Sequence, residues 1–302
     1  MRLLITTIVL LLCTVANAEP LTMAEAAPGV YVHRGVHEEL DAGYHGDICN
    51  IGFIVGKKGV AIIDSGGSLA VGQQLREAIR KVTALPILYV INTHVHPDHI
   101  FGNAAFLADK PSFVGHYKLA DAMERRREIY MRNNAAWLGK DAEGSEMVKP
   151  TQPVQSTLDL DIGERSLLLT AHPTAHTNTD LTVLDKNTAT LWSGDLLFIE
   201  RTPSIDGDIK GWLEVIGKLR ESQPKSIIPG HGPVPANWKE ALENEQRYLE
   251  TLLNDVRTSI KKGEPMESAM DTAAASEKDR WVLFGTVNRR NVNIIYPALE
   301  WE

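Results

Sequence analysis

The segment Thr93-His94-Val95-His96-Pro97-Asp98-His99 constrains this chain more than any other. Four potential metal ligands sit close together, directly after the apolar run Ile87-Leu88-Tyr89-Val90-Ile91. Imidazole and carboxylate are the ordinary ligands of zinc and its neighbours. A turn at a strand end is where a rigid scaffold presents such groups. His94 and His96 alternate, so both can face one side of the loop and one cation. Asp98 and His99 lie past the turn that Pro97 imposes and can face a second.

Four residues do not complete two metal sites, and the remaining donors recur in order further along. Ser166-Leu167-Leu168-Leu169-Thr170 precedes a loop carrying His176. Thr190-Leu191-Trp192 leads into Ser193-Gly194-Asp195, and Ser226-Ile227-Ile228 leads into Pro229-Gly230-His231-Gly232. Each places a polar donor after a strand-like run, and glycines beside two of them permit close backbone approach. A lone Gly-Asp or Gly-His-Gly is weak evidence; three such sites in order behind an H-x-H-x-D-H are strong evidence.

With these motifs the chain resembles the metallo-β-lactamase-fold hydrolases, the superfamily that includes glyoxalase II. The resemblance spans about residues 31–231. It implies an αββα sandwich, an α/β fold, with a binuclear site on one edge. Carried over, His94, His96 and His176 would bind the first metal; Asp98, His99 and His231 would bind the second; Asp195 would bridge them. Asp64, in Ala61-Ile62-Ile63-Asp64-Ser65-Gly66-Gly67, matches the acidic residue that supports the ligand loop from behind by hydrogen bonding. Two zinc ions are the implied cofactors, with iron or manganese as alternatives at the more oxygen-rich second position. A metal-bound hydroxide would attack an ester, thioester or related carbonyl. Asp98 and Asp195 are the implied catalytic carboxylates, Asp98 being both ligand and proton acceptor. The flavodiiron branch has Glu where His96 stands, and one β-lactamase branch has Cys where Asp195 stands, so the donor set points away from both.

A narrower likeness rests on 31–39, on Gly46-Asp47-Ile48-Cys49-Asn50-Ile51-Gly52-Phe53 and on the ending Leu299-Glu300-Trp301-Glu302. These stretches resemble exported zinc metallo-hydrolases associated with sulfur oxidation and quinoprotein dehydrogenase systems. The resemblance implies a small-molecule substrate and a periplasmic quinoprotein dehydrogenase or cytochrome as partner. A β-lactamase and a metal-binding accessory protein with little turnover are the alternative readings. Glyoxalase II carries a dedicated C-terminal domain for glutathione; this chain has a shorter helical tail without a clear pattern of that kind.

The N-terminus reads as an export signal. Arg2 precedes an apolar run over 3–15, and Ala16-Asn17-Ala18 fits an A-x-A site, predicting cleavage after Ala18 and a periplasmic or secreted product. The run is short for a membrane span. The predicted organisation is a signal peptide over 1–18, a hydrolase domain over 19–237 and C-terminal helices over 238–302 packed on it. Cleavage leaves Cys49 as the sole cysteine, a small buried hydrophobe rather than half of a disulfide. The formal net charge of −8 and dispersed basic residues speak against a nucleic-acid-binding face.

Strands are expected over 30–33, 49–55, 60–64 and 88–91, then over 158–160, 167–170, 181–184 and 190–192. Helices are expected over 70–84 and 118–133, along the stripe from Trp238 to Ile260, and over 289–299, with a loop over 141–155. His37, Glu38, His45 and Asp47 lie in a loop that overhangs the site in the superfamily and are candidate substrate contacts. Arg201 is a candidate contact for an anionic substrate; His116 and His172 read as structural, and Asn178 and Asp180 as holding the His176 loop.

Overall fold

The structure, a computed structural model, describes residues 19–41 and 43–302. The expected signal segment and its cleavage point lie outside the described residues. Two sheets stack face to face. The first runs in chain order: β1 (Ala24–Ala27), β2 (Val30–His33), β3 (Ile51–Val55), β4 (Val60–Ile63), β5 (Ile87–Ile91), β6 (Ser112–His116) and β7 (Gln152–Val154). The second has β8 (Thr157–Asp161), β9 (Ser166–Ala171), β10 (Leu181–Asp185), β11 (Thr190–Phe198) and β12 (Ser226–His231), arranged in reverse order.

Alternation along the strands assigns the faces. In β4, Ala61 and Ile63 face the second sheet, where they join Leu167, Leu169, Val183 and Trp192. Val60 and Ile62 face outward against Val71, Leu75 and Ile79 of helix α1 (Leu69–Val82). Ser68 caps α1 by accepting from the Val71 amide at 3.2 Å. The inter-sheet layer is so tight at one point that a Cβ on Gly52 would stand 2.6 Å from the Trp192 ring and 2.1 Å from the Tyr31 carbonyl. Glycine is the residue that fits between these sheets there.

A short helical turn, α2 (Pro97–Ile100), and α3 (Leu119–Leu138) follow in the first half. The second sheet is covered by α4 (Ile209–Glu221), α5 (Trp238–Lys261), α6 (Met266–Thr272) and α7 (Phe284–Leu299). The stripe Leu242, Leu249, Leu252, Leu253 and Val256 of α5 packs against Trp212 and Val215 of α4 and against Val292 and Ile295 of α7. The layers are therefore helix, sheet, sheet, helix, as the sequence predicts. Among the described residues no helix is long and apolar enough to cross a membrane.

Three local expectations change. The stretch over 141–155 is not all loop, because Gln152–Val154 pairs in parallel with β6 and supplies an edge strand. Proline suits an edge, where its missing amide is not needed on both sides. The tail helix begins at Phe284 rather than at 289, and β11 does not end before Asp195 but continues to Phe198 through a register break after Trp192.

Candidate metal centre

The seven expected ligands meet at one edge of the sandwich, where β5, β11 and β12 and the loop after β9 present their ends. Pro97 at the first position of α2 turns the chain, so His94 and His96 leave before the turn and Asp98 and His99 after it. His94, His96, His176 and Asp195 form one group, buried but for the half-buried His96; His99, Asp195 and His231 form another, and Asp98 groups with His99 and Cys49; in each, one donor atom per residue lies within 4.8 Å of the others. Within the first group the ring nitrogens converge: His96 Nδ1 is 3.1 Å from His94 Nε2 and 3.0 Å from His176 Nε2. Within the second, Nε2 of His99 and of His231 both lie 3.2 Å from the Asp195 carboxylate. Asp98 Oδ2 is 3.4 Å from His99 Nε2 and 3.5 Å from His231 Nε2.

Asp195 stands between the groups. Its Oδ2 lies 3.4 Å from His176 Nε2 and 3.7 Å from His94 Nε2 of the first group and 3.2 Å from His231 Nε2 of the second, while its Oδ1 faces His99. The register break in β11 and the positive φ of Gly194 aim it inward. Gly230 in the neighbouring strand makes the room, since a Cβ there would fall 1.9 Å from Asp195 Oδ1.

Whether cations fit is decided by the outer nitrogen of each ring. His176 Nδ1 is 2.6 Å from the Ser204 carbonyl, and His231 Nδ1 is 2.7 Å from the Ile48 carbonyl. A carbonyl only accepts, so both Nδ1 atoms carry hydrogen and both Nε2 lone pairs face the centre. His99 Nδ1 donates to Asp64 Oδ2 at 2.8 Å, and His96 Nε2 donates to Asp206 Oδ2 at 3.1 Å. Thr93 Oγ1 donates to Asp64 at 2.7 Å and is left to accept from His94 Nδ1 at 3.0 Å. All five rings thus commit the outer nitrogen to an acceptor and turn a bare lone pair inward, the arrangement that metal-ligating histidines show. His99 Nε2 and Asp195 Oδ1 are buried without a hydrogen-bond partner. Such atoms are costly unless something charged meets them.

Electrostatics agree with the geometry. Burial depresses His94 well below the ordinary imidazole range and lowers His176 to about 3, which keeps both neutral and able to ligate. Burial alone would raise the carboxyls of Asp98 and Asp195. The histidines around them, His99 and His231 above all, outweigh it and hold both below the usual range. His99 differs: against burial, Cys49, then Asp195, Asp98 and Asp64, raise it well above the ordinary imidazole range, so this ring must give up an inner proton to ligate a cation.

Asp64 behaves as the sequence predicts. It adopts a left-handed backbone with φ of 54°, accepts from the Thr93 amide at 2.8 Å and braces both His94, through Thr93, and His99. Asp180 holds the His176 loop by accepting from the Thr177 amide and hydroxyl at 2.9 and 2.7 Å, and burial pushes its carboxyl up to about 7. Asn178 makes no comparable bond; its Oδ1 is buried and unpartnered. Cys49 is buried and donates its thiol to the Asp98 carbonyl at 2.9 Å. His116 and His172 stand apart from the centre and join each other, His116 Nε2 lying 3.2 Å from the His172 carbonyl.

The expected polar contacts of the overhanging loop are engaged elsewhere. His37 pairs with Glu200, His45 with Glu38 and Asp47 with His33. From that loop it is Leu40 and Ile48 that line the cavity beside the centre. Sequence reasoning missed Asp206, which is also held by Arg126 at 3.1 Å, because it lies 110 residues from His96 in a polar loop with no motif. It also missed Asn50, whose amide donates to the Pro229 and Gly232 carbonyls on either side of Gly230-His231, both at 2.8 Å. A third is Glu245 of α5, fully buried, which accepts from the Phe198 amide at 2.8 Å behind a Phe198 ring stacked on His231.

Comparison with known proteins places this geometry. An uncharacterized protein of Caenorhabditis elegans is 24% identical over 232 residues, 72% of this chain and 55% of that protein. A linear primary-alkylsulfatase of Pseudomonas sp. is 24% identical over 226 residues, 63% of this chain and 42% of that enzyme. The chain therefore spans about half the length of the curated relatives it matches. Among solved structures, a metallo-beta-lactamase from Pontibacter korlensis superposes with a TM-score of 0.60 at 18% identity, covering 76% of this chain and 99% of the other. A stereoselective inverting sec-alkylsulfatase from Pseudomonas sp. superposes with a TM-score of 0.71 at 16% identity, covering 91% of this chain and 50% of the other. The sequence profile of the metallo-beta-lactamase superfamily matches residues 45–231, from the overhanging loop through the last histidine of the centre. The chain belongs to that superfamily of metal-dependent hydrolases.

Proposed function

We propose that the protein is a binuclear zinc hydrolase acting on a small ester, thioester or related carbonyl compound. The observation that carries the reading is the set of five histidines, each with its outer nitrogen spoken for and its inner lone pair bare. His94, His96 and His176 would hold one cation, Asp98, His99 and His231 the other, and Asp195 both. Nitrogen and oxygen donors without thiolate suit zinc, with iron or manganese as alternatives. Two divalent cations so held supply Lewis acidity and a water made acidic near neutral pH.

The chain's own residues do the rest. Asp98 lines the cavity with its carboxylate held ionised, so it can accept the proton that water gives up as it attacks. Asp195 fixes the separation of the two groups, and Asp64 and Asp206 keep three rings from turning. Phe198 and Ile205 exclude water from one flank of the cavity. The cavity beside the centre, about 230 Å³, suits a compact reacting group.

A second reading, a sulfate ester as substrate, is supported by the alkylsulfatases among the similar proteins. One panel decides between them: thioesters, simple esters, lactones, alkyl sulfates and a chromogenic β-lactam, with metal content measured and a chelator control. A chelator-sensitive rate on carboxylic esters or thioesters supports the first reading, and a rate confined to alkyl sulfates supports the second. No rate on any member with two metals bound per chain would overturn both in favour of an accessory role. Export is a proposal carried by the N-terminal pattern of Arg2, the apolar run over 3–15 and Ala16-Asn17-Ala18, and service beside a periplasmic quinoprotein dehydrogenase is one carried by the sequence resemblance. N-terminal sequencing of the protein recovered from the periplasm tests the first; a mature start at Glu19 is expected.

A further inference from the structure

Two buried arginines of this protein are treated in opposite ways. Arg165 is saturated: it grips Asp185 through two nitrogens and donates to the Val55 and Pro28 carbonyls. Arg201, 6% exposed, donates through Nη1 to the Glu38 carbonyl at 2.8 Å and has no carboxylate partner among the described residues. A guanidinium offers five N–H donors, so most of its bonding capacity is left over. A buried charge with a neutral partner is costly, and Arg201 lines the cavity beside Asp98 and Asp195.

A second guanidinium shares that cavity. Arg290 lies on α7 and is exposed at the rim. Its neighbour Arg289 is paired with Asp271, whereas Arg290 has no carboxylate partner among the described residues. The two cations feel each other. Burial first, and the Arg290 charge in addition, hold the Arg201 guanidinium below its ordinary range against the pull of Asp98 and Asp195. Two like charges facing one space are relieved by an anion placed between them. Around the two arginines the wall carries Leu40, Trp137, Ile205, Val287 and Ile294; of its polar residues Tyr130, Ser204 and Asp206, the carboxylate of Asp206 is already engaged by His96 and Arg126.

We propose that Arg201 and Arg290 form an anion clamp, and that the substrate is a small amphiphile: one anionic group, sulfate or carboxylate, on a short apolar body that lies along the wall of α7. The inference rests on the hydrolase reading of the same cavity and names its substrate class. The anion is either the scissile group itself, in a sulfate ester, or a spectator carboxylate at the far end of a carboxylic ester.

The test is titration calorimetry of the metal-loaded full-length protein with hexane-1-sulfonate, hexanoate and hexan-1-ol, none of which is hydrolysed. At least one of the two anions should bind about tenfold or more tighter than the alcohol, and Arg290→Gln should weaken that anion by about tenfold while leaving the alcohol unchanged. Arg290→Lys should recover part of the loss. Arg201→Gln should act in the same direction and more strongly. Because that side chain also holds the loop at Glu38, the exposed Arg290 variants, with melting temperature monitored, carry the decision. Arginine dependence with the sulfonate alone identifies a sulfate-type anion; dependence with hexanoate alone identifies a carboxylate. Either supports the clamp. Equal affinity for anion and alcohol, or a folded Arg290→Gln that binds both anions as the parent does, overturns it. Binding is read without turnover, so an inactive protein that still shows arginine-dependent anion binding would count against the hydrolase reading and not against the clamp.

Discussion

The two halves of the sandwich build their shares of the metal centre by different means. The first half delivers four expected ligands from one turn after β5, and bonds from within that half stiffen the turn: Asp64 accepts from Thr93 and His99, Cys49 donates to the Asp98 carbonyl, and Asn92 donates to the His99 carbonyl. The second half delivers three ligands from three separate places, His176 in a loop, Asp195 in a broken strand and His231 at a strand end. Their braces are single backbone carbonyls: Ser204 of the same half for His176, and Ile48, in the other half, for His231. The contiguous motif is supported mostly from its own half, with only His96 held from the other, by Asp206. A dispersed set depends on the sheets being correctly stacked.

The sharpest way to break this comparison is to remove the one residue on which both groups converge. Asp195→Ala should lower kcat/KM by on the order of 10³-fold, the scale seen when a principal electrostatic group is lost. Metal per chain, measured by mass spectrometry, should fall with it. Full metal content at the parental rate would show that the two groups do not share Asp195.

A smaller effect separates shared from single bracing. Asp64 serves two rings and Asp206 serves one. Loss of such a partner typically weakens metal affinity by about 10–100-fold. Asp64→Asn should fall near the upper end of that range and Asp206→Asn near the lower, in competition with a chromophoric chelator. The reverse order would mean that the first-half turn is rigid without Asp64.

The smallest effect concerns the seam between the halves. His116, on β6, contacts the backbone of His172, just beyond β9, and burial lowers each imidazole to about 4. A depressed histidine contributes stability that is complete above its unfolded value near 6.5 and is lost as pH falls through about 4. Denaturant unfolding should therefore weaken across that window, and His172→Gln should remove on the order of 2 kcal/mol of the pH-dependent part. An unchanged slope would mean that the seam does not feel these two rings.

The same contrast explains what could be read in advance. The residues that meet at the candidate centre were legible because they follow apolar runs at fixed places, and alternation along β4 and the stripe of α5 gave the layers. The outer partners were not. Asp206, Asn50 and Glu245 reach their targets across 110, about 180 and 47 residues, and neither period nor spacing records such a meeting. The continuation of β11 through Asp195 was hidden as well, because Gly194 reads as a turn while serving a strand irregularity. The overhanging loop misled in the opposite sense: its polar residues looked like substrate contacts, and its apolar Leu40 and Ile48 are the ones that face the cavity.

The wall of that cavity comes in part from α7, the last 16-residue helix of the chain, whereas every expected ligand lies before it. Part of what meets a substrate is thus written after the last expected ligand, while Leu40, Trp137, Arg201 and Ile205 keep the rest among the ligand-bearing stretches. A lineage can revise one wall of the pocket by drift at Val287, Arg290 and Ile294 of α7 while the chemistry upstream stays as it was, whereas Asn291 and Val292 of the same helix are tied to the core and to the loop at Pro203 and Ile205.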